Sequence, residues 1–180
     1  MVRPSALLHA IRHGGQTVAL RFLIMAGFLG IVFSSARAAD KVDFVRVDKS
    51  ERRMELLAKG QVLRTYSIAL GANPIGHKQQ QGDERTPEGR YLLDWRNANS
   101  CCMRSLHISY PNDADKAAAK ELGVDPGGMV MIHGQVNGYG WWGWLIQLFD
   151  WTNGCIAVND TDMREMWDMV AAGTPIEIAP

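Results

Sequence analysis

The sequence predicts a mainly β protein, a β-rich sandwich or barrel that carries a few short helices. Three observations lead to this prediction. Short segments that favour strands recur along residues 42–178 and are separated by Gly, Pro and polar turns. Two segments have the residue spacing of helices. The chain has 180 residues, 47% of them hydrophobic, which suits one globular domain with a substantial core.

Eight strands are predicted. Val42–Val47 alternates apolar and polar residues, and Met54–Ala58 and Val62–Leu70 form a hairpin around Lys59-Gly60. Residues 71–89 are rich in Gly, Pro and polar residues, which indicates an irregular connection. The five later strands are Arg90–Trp95, Ser105–Ser109, Met129–Ile132, Cys155–Val158 and Pro175–Ile178.

Two helices are predicted between these strands. The first follows Asn112, which can cap it, and ends at Gly123. The second runs from about Thr161 to Ala172, with Gly173 as its stop. Apolar residues of the second helix recur at i, i+3, i+4 and i+7, which predicts that they pack in the core: Met163, Met166, Trp167 and Val170.

The first 38 residues have the layout of a secretory signal. Basic residues precede an apolar run of 12 residues, Phe22–Phe33, and Ala36 and Ala38 fit the −3 and −1 positions of a cleavage site. A membrane span needs about 20 apolar residues, so this run is short for one. We therefore expect export to the periplasm or cell envelope, a single domain over residues 39–180 and no stable membrane span after signal removal. An uncleaved signal anchor is the alternative.

The net charge of the chain argues against nucleic acid as a partner, and the spacing of its Cys and His residues argues against a bound metal. The formal net charge is zero, so no basic excess predicts nucleic-acid binding. The closely spaced Cys and His pairs of a zinc site are missing from the sequence, and no metal is predicted. The sequence does not indicate an oligomeric state.

Three cysteines follow the signal: Cys101, Cys102 and Cys155. In an oxidising compartment an odd number leaves at least one thiol unpaired. Cys101 and Cys102 are adjacent and can pair with each other only in a strained ring. Cys155 is therefore a good candidate for a free thiol, with a buried inert cysteine as the alternative.

His133 and Cys155 have the residue types of a catalytic pair. His133 ends an apolar run, and Gly154 leads directly into Cys155 at the start of a strand. Such a turn can direct the amide N–H groups of Gly154 and Cys155 at one point, as an oxyanion hole requires. A histidine beside a thiol can take its proton. Spacing alone leaves open whether the two side chains touch.

Two segments resemble the signature of the L,D-transpeptidase (YkuD-type) catalytic domain. They are Met131-Ile132-His133-Gly134 and Thr152-Asn153-Gly154-Cys155-Ile156-Ala157-Val158. A third segment resembles the Thr-Pro-x-Gly-x-aromatic element of that family: Thr86-Pro87-Glu88-Gly89-Arg90-Tyr91. The resemblance spans Val42 to Ala179.

The resemblance implies a β-sandwich of mixed sheets and a role for each matching residue. Cys155 is the implied nucleophile, and His133 is the general base and later the acid. Gly134 aligns with the residue whose backbone carbonyl orients that histidine. Gly154 and Cys155 are implied to supply the oxyanion-hole amides. No cofactor and no metal are implied.

The implied substrates are peptidoglycan stem peptides. The family cuts a tetrapeptide after its third residue, releases the terminal D-Ala and passes the acyl group to an amine of a second stem, which makes a 3–3 crosslink. Two alternatives stay open. The same thioester can go to water, as in an L,D-carboxypeptidase or crosslink hydrolase, or the domain can be an inactive peptidoglycan-binding module.

The sequence departs from the family pattern around the thiol. Asn153 stands where a histidine is usual, and Ala157 replaces a polar or basic residue. A contact to the substrate carboxylate is then expected from another residue, for which Arg104, His107 and Lys78 are the candidates. Asn153 is also a candidate for a substrate contact.

The segment between His133 and Cys155 is long and aromatic. Cys155 follows His133 by 22 positions, and four tryptophans lie between them. Two interpretations are open, a lid or wall over the cleft and the ordinary packing of a surface helix. The tryptophans are Trp141, Trp142, Trp144 and Trp151.

Overall fold

The computed structural model describes residues 41–180 and confirms the mainly β prediction. The predicted signal sequence, residues 1–38, lies outside the described residues. The strands are β1 (Phe44–Asp48), β2 (Arg53–Ala58), β3 (Gln61–Ser67), β4 (Gly89–Asn97), β5 (Ser105–Ile108), β6 (Met131–His133), β7 (Ile156–Ala157) and β8 (Thr174–Ala179). The helices are α1 (Asp113–Leu122), α2 (Gly143–Ile146) and α3 (Asp160–Met169), and a 3-10 turn covers Gly140–Trp142. Between residues 41 and 180, no helix is long and apolar enough to cross a membrane.

The eight strands form one curled mixed sheet in the order β3-β2-β1-β8-β4-β5-β6-β7. Two neighbouring pairs, β1 with β8 and β6 with β7, are parallel, and the others are antiparallel. The two ends of the sheet meet. Ala69, just after β3, exchanges backbone hydrogen bonds of 2.9 and 2.8 Å with Ala157 of β7. This pairing satisfies edge groups that would otherwise be open to another chain.

Apolar side chains at alternating positions along the strands form the hydrophobic core. Val45 of β1 pairs with Ile176 of β8, and Val47 pairs with Ile178. All four side chains are at most 1% exposed. Burying each such side chain contributes about 1.5–3 kcal/mol of hydrophobic free energy. The core therefore joins the first and last strands of the domain.

The helices differ in how well the sequence predicts them. Helix α1 has the predicted bounds, with Asn112 as its cap in a capping box and Gly123 in the left-handed conformation at its end. Helix α3 was expected to reach Ala172 but ends at Met169. Val170 is extended, with φ −101° and ψ 118°, and is 1% exposed. Its burial against the sheet ends the helix before Gly173.

A buried lysine fixes the irregular connection between β3 and β4. Lys49 is 2% exposed, and its Nζ donates hydrogen bonds to Gly76 O at 2.8 Å, Thr86 O at 3.2 Å and Glu88 Oε1 at 2.7 Å. Thr86 is itself buried, and its Oγ1 accepts a hydrogen bond from Gly71 N. A buried ammonium needs such partners to offset its lost hydration. The loop is therefore held in one conformation against the sheet.

Replacing Lys49 with Met should lower the free energy of unfolding by about 3 kcal/mol, because two carbonyls and the Glu88 carboxylate lose their partner. Chemical denaturation followed by circular dichroism measures this change. Lys116→Met is the matched control, since Lys116 is a 60% exposed lysine paired with Asp113 on the surface. That variant should change the free energy of unfolding by less than about 1 kcal/mol. Equal stability of the two variants would contradict the anchoring role of Lys49.

Candidate functional site

The parallel pairing of β6 with β7 places His133 and Cys155 on the same side of the sheet. Ile132 pairs with Ile156, and both side chains are 0% exposed in the core. Side chains alternate between the two faces of a sheet. His133 and Cys155, each one residue from a core isoleucine, therefore share the opposite face. Diagonal neighbours on adjoining strands lie about 7–8 Å apart at Cα, a distance that side chains span.

The thiol of Cys155 is partly buried and protonated at rest. Its Sγ accepts a hydrogen bond from the Met131 amide at 3.4 Å and lies 3.9 Å from Met129 O. Burial raises the pKa of the Cys155 thiol above its ordinary value of 9.0, although the Met131 amide and the charge of Lys78 oppose this. A nucleophilic attack by Cys155 at neutral pH therefore requires a base.

His133 has the tautomer of a general base. Its Nδ1 lies 2.6 Å from Gly134 O, and a carbonyl oxygen can only accept, so Nδ1 carries the proton. The other ring nitrogen, Nε2, is then an acceptor in the neutral ring. Burial lowers the pKa of His133 below 6.5, although the Gly134 carbonyl raises it. Gly134 occupies the orienting position that the family resemblance implies.

Backbone and aromatic contacts hold the His133 ring. Gly134 N donates a hydrogen bond to Cys102 O at 3.1 Å, which fixes the peptide that carries the orienting carbonyl. The indole of Trp151 packs edge-on against the imidazole, with ring centroids 5.7 Å apart. The sequence places Trp151 in one aromatic segment with the other tryptophans and does not predict this contact. Its position four residues before the cysteine was the available signal.

The turn before Cys155 depends on Thr152 and Gly154. Thr152 Oγ1 accepts a hydrogen bond from Gly154 N at 3.1 Å and donates to Cys155 O at 2.7 Å. Gly154 has φ +114°, and a Cβ there would lie 2.6 Å from Arg85 O. The Cys155 amide has no acceptor within residues 41–180, so it is available to a ligand. The Gly154 amide is engaged with Thr152, and its oxyanion role stays a prediction.

A groove of about 400 Å³ opens beside the thiol. Cys155 and the exposed Asn153 line one wall of it, and Gly128 and Met129 lie next to them. The opposite wall comes from the loop that Lys49 anchors. Its lining residues are Lys78, Gln81, Gly82 and Glu84. The polar lining suits a peptide that carries charged groups.

Two other candidates for substrate contacts have partners elsewhere. His107 shares the face of Met131, its partner in register, but its Nδ1 lies 2.6 Å from Asp94 Oδ1 and its ring stacks on Trp95. The guanidinium of Arg104 lies 5.0 Å from the centre of the Trp167 ring. The structure does not bring either residue into the lining of the Cys155 groove. Their predicted substrate contacts stay predictions.

The aromatic segment between His133 and Cys155 forms short helical turns on the surface. Trp141 and Trp144 are 72% and 70% exposed. Trp151, at the end of the segment, packs against the His133 ring. Ala157 is fully buried, so its side chain does not reach a substrate. Over residues 41–180, no group of three metal-binding side chains is arranged around a common point.

Known proteins resemble this chain over most of the described residues. Residues 43–178 match YkuD, the L,D-transpeptidase catalytic domain. The Escherichia coli K12 protein YafK is 34% identical in an alignment 98 residues long, which covers 51% of this chain and 37% of YafK. The chain therefore matches well under two thirds of the length of this relative.

Solved structures share the fold. The helical cell shape determining protein Pgp2 of Campylobacter jejuni aligns with a TM-score of 0.58 and 24% identity, over 78% of this chain and 48% of Pgp2. An L,D-transpeptidase from Mycobacterium smegmatis aligns with a TM-score of 0.51 and 14% identity, over 76% of this chain and 58% of that one. Identities this low show the fold alone. The family match over residues 43–178 shows more, and the chain belongs to the L,D-transpeptidase catalytic domain family.

Proposed function

We propose that the protein is an exported peptidoglycan L,D-transpeptidase that works through a thioester on Cys155. One observation carries the proposal. A protonated thiol and a neutral imidazole with an unprotonated Nε2 lie on the same side of the paired strands β6 and β7, and the thiol lines a polar groove. Family membership supports stem peptides as the substrate class. The predicted signal sequence supports a site of action in the periplasm or cell envelope.

In the acylation step, the proton of Cys155 Sγ is transferred to His133 Nε2. Because burial raises the pKa of the thiol and lowers that of the imidazole, the proton moves as Sγ attacks and not before. The new S–C bond forms at the carbonyl of the third residue of a tetrapeptide stem, and the carbonyl electron pair moves to its oxygen. The free Cys155 amide can donate to that oxygen.

The tetrahedral adduct then collapses to a thioester. The bond from the carbonyl carbon to the nitrogen of the terminal D-Ala breaks, and the His133 imidazolium gives its proton to this leaving amine. An amine of a second stem next attacks the thioester, with His133 as base again. The Cys155 thiol is regenerated, and a 3–3 crosslink is formed. His133 returns to its neutral state after each half-reaction, so no cofactor is consumed.

The same thioester has a second outcome. If water attacks in place of the amine, the protein is an L,D-carboxypeptidase or crosslink hydrolase with identical catalytic residues. The free Cys155 amide and the oriented His133 favour either enzyme over an inactive binding module, which needs no base beside a thiol. The identity of the acceptor separates transferase from hydrolase.

A carbapenem should acylate Cys155, because its strained β-lactam carbonyl is an activated acyl donor for a thiol. Intact-mass spectra of the reduced protein should show one adduct, which maps to the Cys155 peptide and is lost in Cys155→Ala. Cys101→Ser is the matched control, since Cys101 is exposed and lies outside the groove lining. This control should keep the adduct. A reduced wild-type protein without an adduct would contradict the thiol mechanism.

The pH profile of this acylation should report His133 as the base. A protonated imidazole cannot accept a proton, so the wild-type rate should fall as pH decreases through the pKa of His133, below 6.5, and stay level through neutral pH. Without the imidazole, attack needs the free thiolate, whose pKa lies above 9.0.

His133→Ala should therefore react about 100-fold more slowly at neutral pH, with a rate that rises about tenfold per pH unit. Stopped-flow measurement of carbapenem ring opening gives both profiles. A wild-type rate that itself rises tenfold per unit through neutral pH would show that His133 is not the base.

A further inference from the structure

Lys78 is a buried ammonium next to the nucleophile that the mechanism above does not use. It is 3% exposed and lines the same groove as Asn153 and Cys155. Its Nζ lies 3.9 Å from the position of a Cβ on Gly154, the residue before Cys155. Charged lysine side chains are almost never buried to this extent unless they are paired with a countercharge or bind a ligand. A positive charge therefore faces the site from the loop side.

The ammonium has an unused donor. A lysine ammonium has three N–H groups. Two of them are engaged, with Asp83 Oδ1 at 2.7 Å and Gln80 O at 3.0 Å. Among the described residues, 41–180, the third has no acceptor. Because Nζ lines the groove, a bound ligand can supply that acceptor.

Asp83 holds Lys78 in position, and its negative charge does not prevent the Lys78 ammonium from binding another anion. The Asp83 carboxylate also accepts hydrogen bonds from the backbone amides of Gln79, Gln80 and Arg85, at 2.7, 3.1 and 3.1 Å. Its negative charge is shared among four donors on the loop side. Glu84 also lines the groove, but it is exposed, so water screens its charge.

We propose that Lys78 forms an anion subsite that binds the carboxylate of the substrate's terminal residue and selects peptides with a free C-terminus. This inference rests on the proposed function. In such a peptide only the nitrogen and Cα of the terminal residue separate its carboxylate from the carbonyl that Cys155 attacks. A carbonyl held at Sγ therefore places the carboxylate within reach of a charge beside Gly154. The buried Ala157 cannot supply this contact.

Two alkylating reagents of similar size test the charge at Cys155 without any peptide. Iodoacetate carries a carboxylate, and iodoacetamide is its neutral analogue. We expect the ratio of their rates at Cys155, followed by peptide mass mapping, to fall about fivefold in Lys78→Met. Lys120→Met, an exposed lysine on α1, is the matched control and should keep the wild-type ratio. An unchanged ratio in Lys78→Met would overturn the proposal.

A second variant is expected to change the rate ratio in the opposite direction, and it provides a test even if Lys78→Met does not fold. Asp83→Asn removes the countercharge and should raise the same ratio about twofold or more. Thermal unfolding monitors the fold of both variants. If Lys78→Met does not fold, the rise in Asp83→Asn still supports the subsite, and a fall or no change in Asp83→Asn contradicts it.

Turnover of two peptide substrates tests whether the subsite contributes to the reaction. The wild type should have at least about tenfold higher kcat/KM for a tetrapeptide stem than for its C-terminal carboxamide, and Lys78→Met should abolish this preference through KM. Turnover without any preference for the free carboxylate would overturn the subsite and leave the proposed function standing. Anion-selective alkylation without turnover of either peptide would overturn the proposed function and leave the anion site standing.

Discussion

The site depends on the parallel register that joins β6 to β7. Burial of Ile132 and Ile156 in the core fixes this register, and the alternation of side chains then places His133 and Cys155 together on the other face. A slip of one residue would turn His133 into the core and an isoleucine toward the groove. Hydrophobic packing thus sets the relative position of the proposed catalytic pair. The Ala69 pairing at the sheet edge holds β7 in place from its second side.

Burial also determines the protonation states of Cys155 and His133 in the absence of substrate. It raises the pKa of Cys155 and lowers that of His133, so the resting pair is neutral. Gly134 O selects the tautomer in which Nε2 is free. Charge on the reacting atoms then appears only as the substrate reacts, where the Cys155 amide can stabilise it. The loop that carries Lys78 is held in its conformation by a second buried lysine, Lys49. This one segment therefore contributes both to the stability of the fold and to the electrostatics of the site.

Local patterns predict much of this fold, and long-range contacts account for the rest. The strands and helix α1 follow from alternation and from the Asn112 cap, which act within a few residues. The early end of α3 follows from the burial of Val170 in the hydrophobic core, which no local signal encodes. Motif resemblance predicted His133 and Cys155 as the catalytic pair, and this assignment stays a prediction. Residue type makes Arg104 a candidate for a substrate contact, but its guanidinium lies 5.0 Å from the centre of the Trp167 ring on α3.

The most direct test of a thioester on Cys155 with His133 as base is the fate of a tetrapeptide stem. Rapid quenching at neutral pH followed by intact-mass analysis should find a tripeptide acyl group on Cys155 and one released D-Ala, with little adduct in His133→Ala. A 3–3 dimer should then accumulate in the wild type, whereas a free tripeptide alone would identify water as the acceptor. An unchanged tetrapeptide with unmodified Cys155, or equal turnover by Cys155→Ala, would contradict the account.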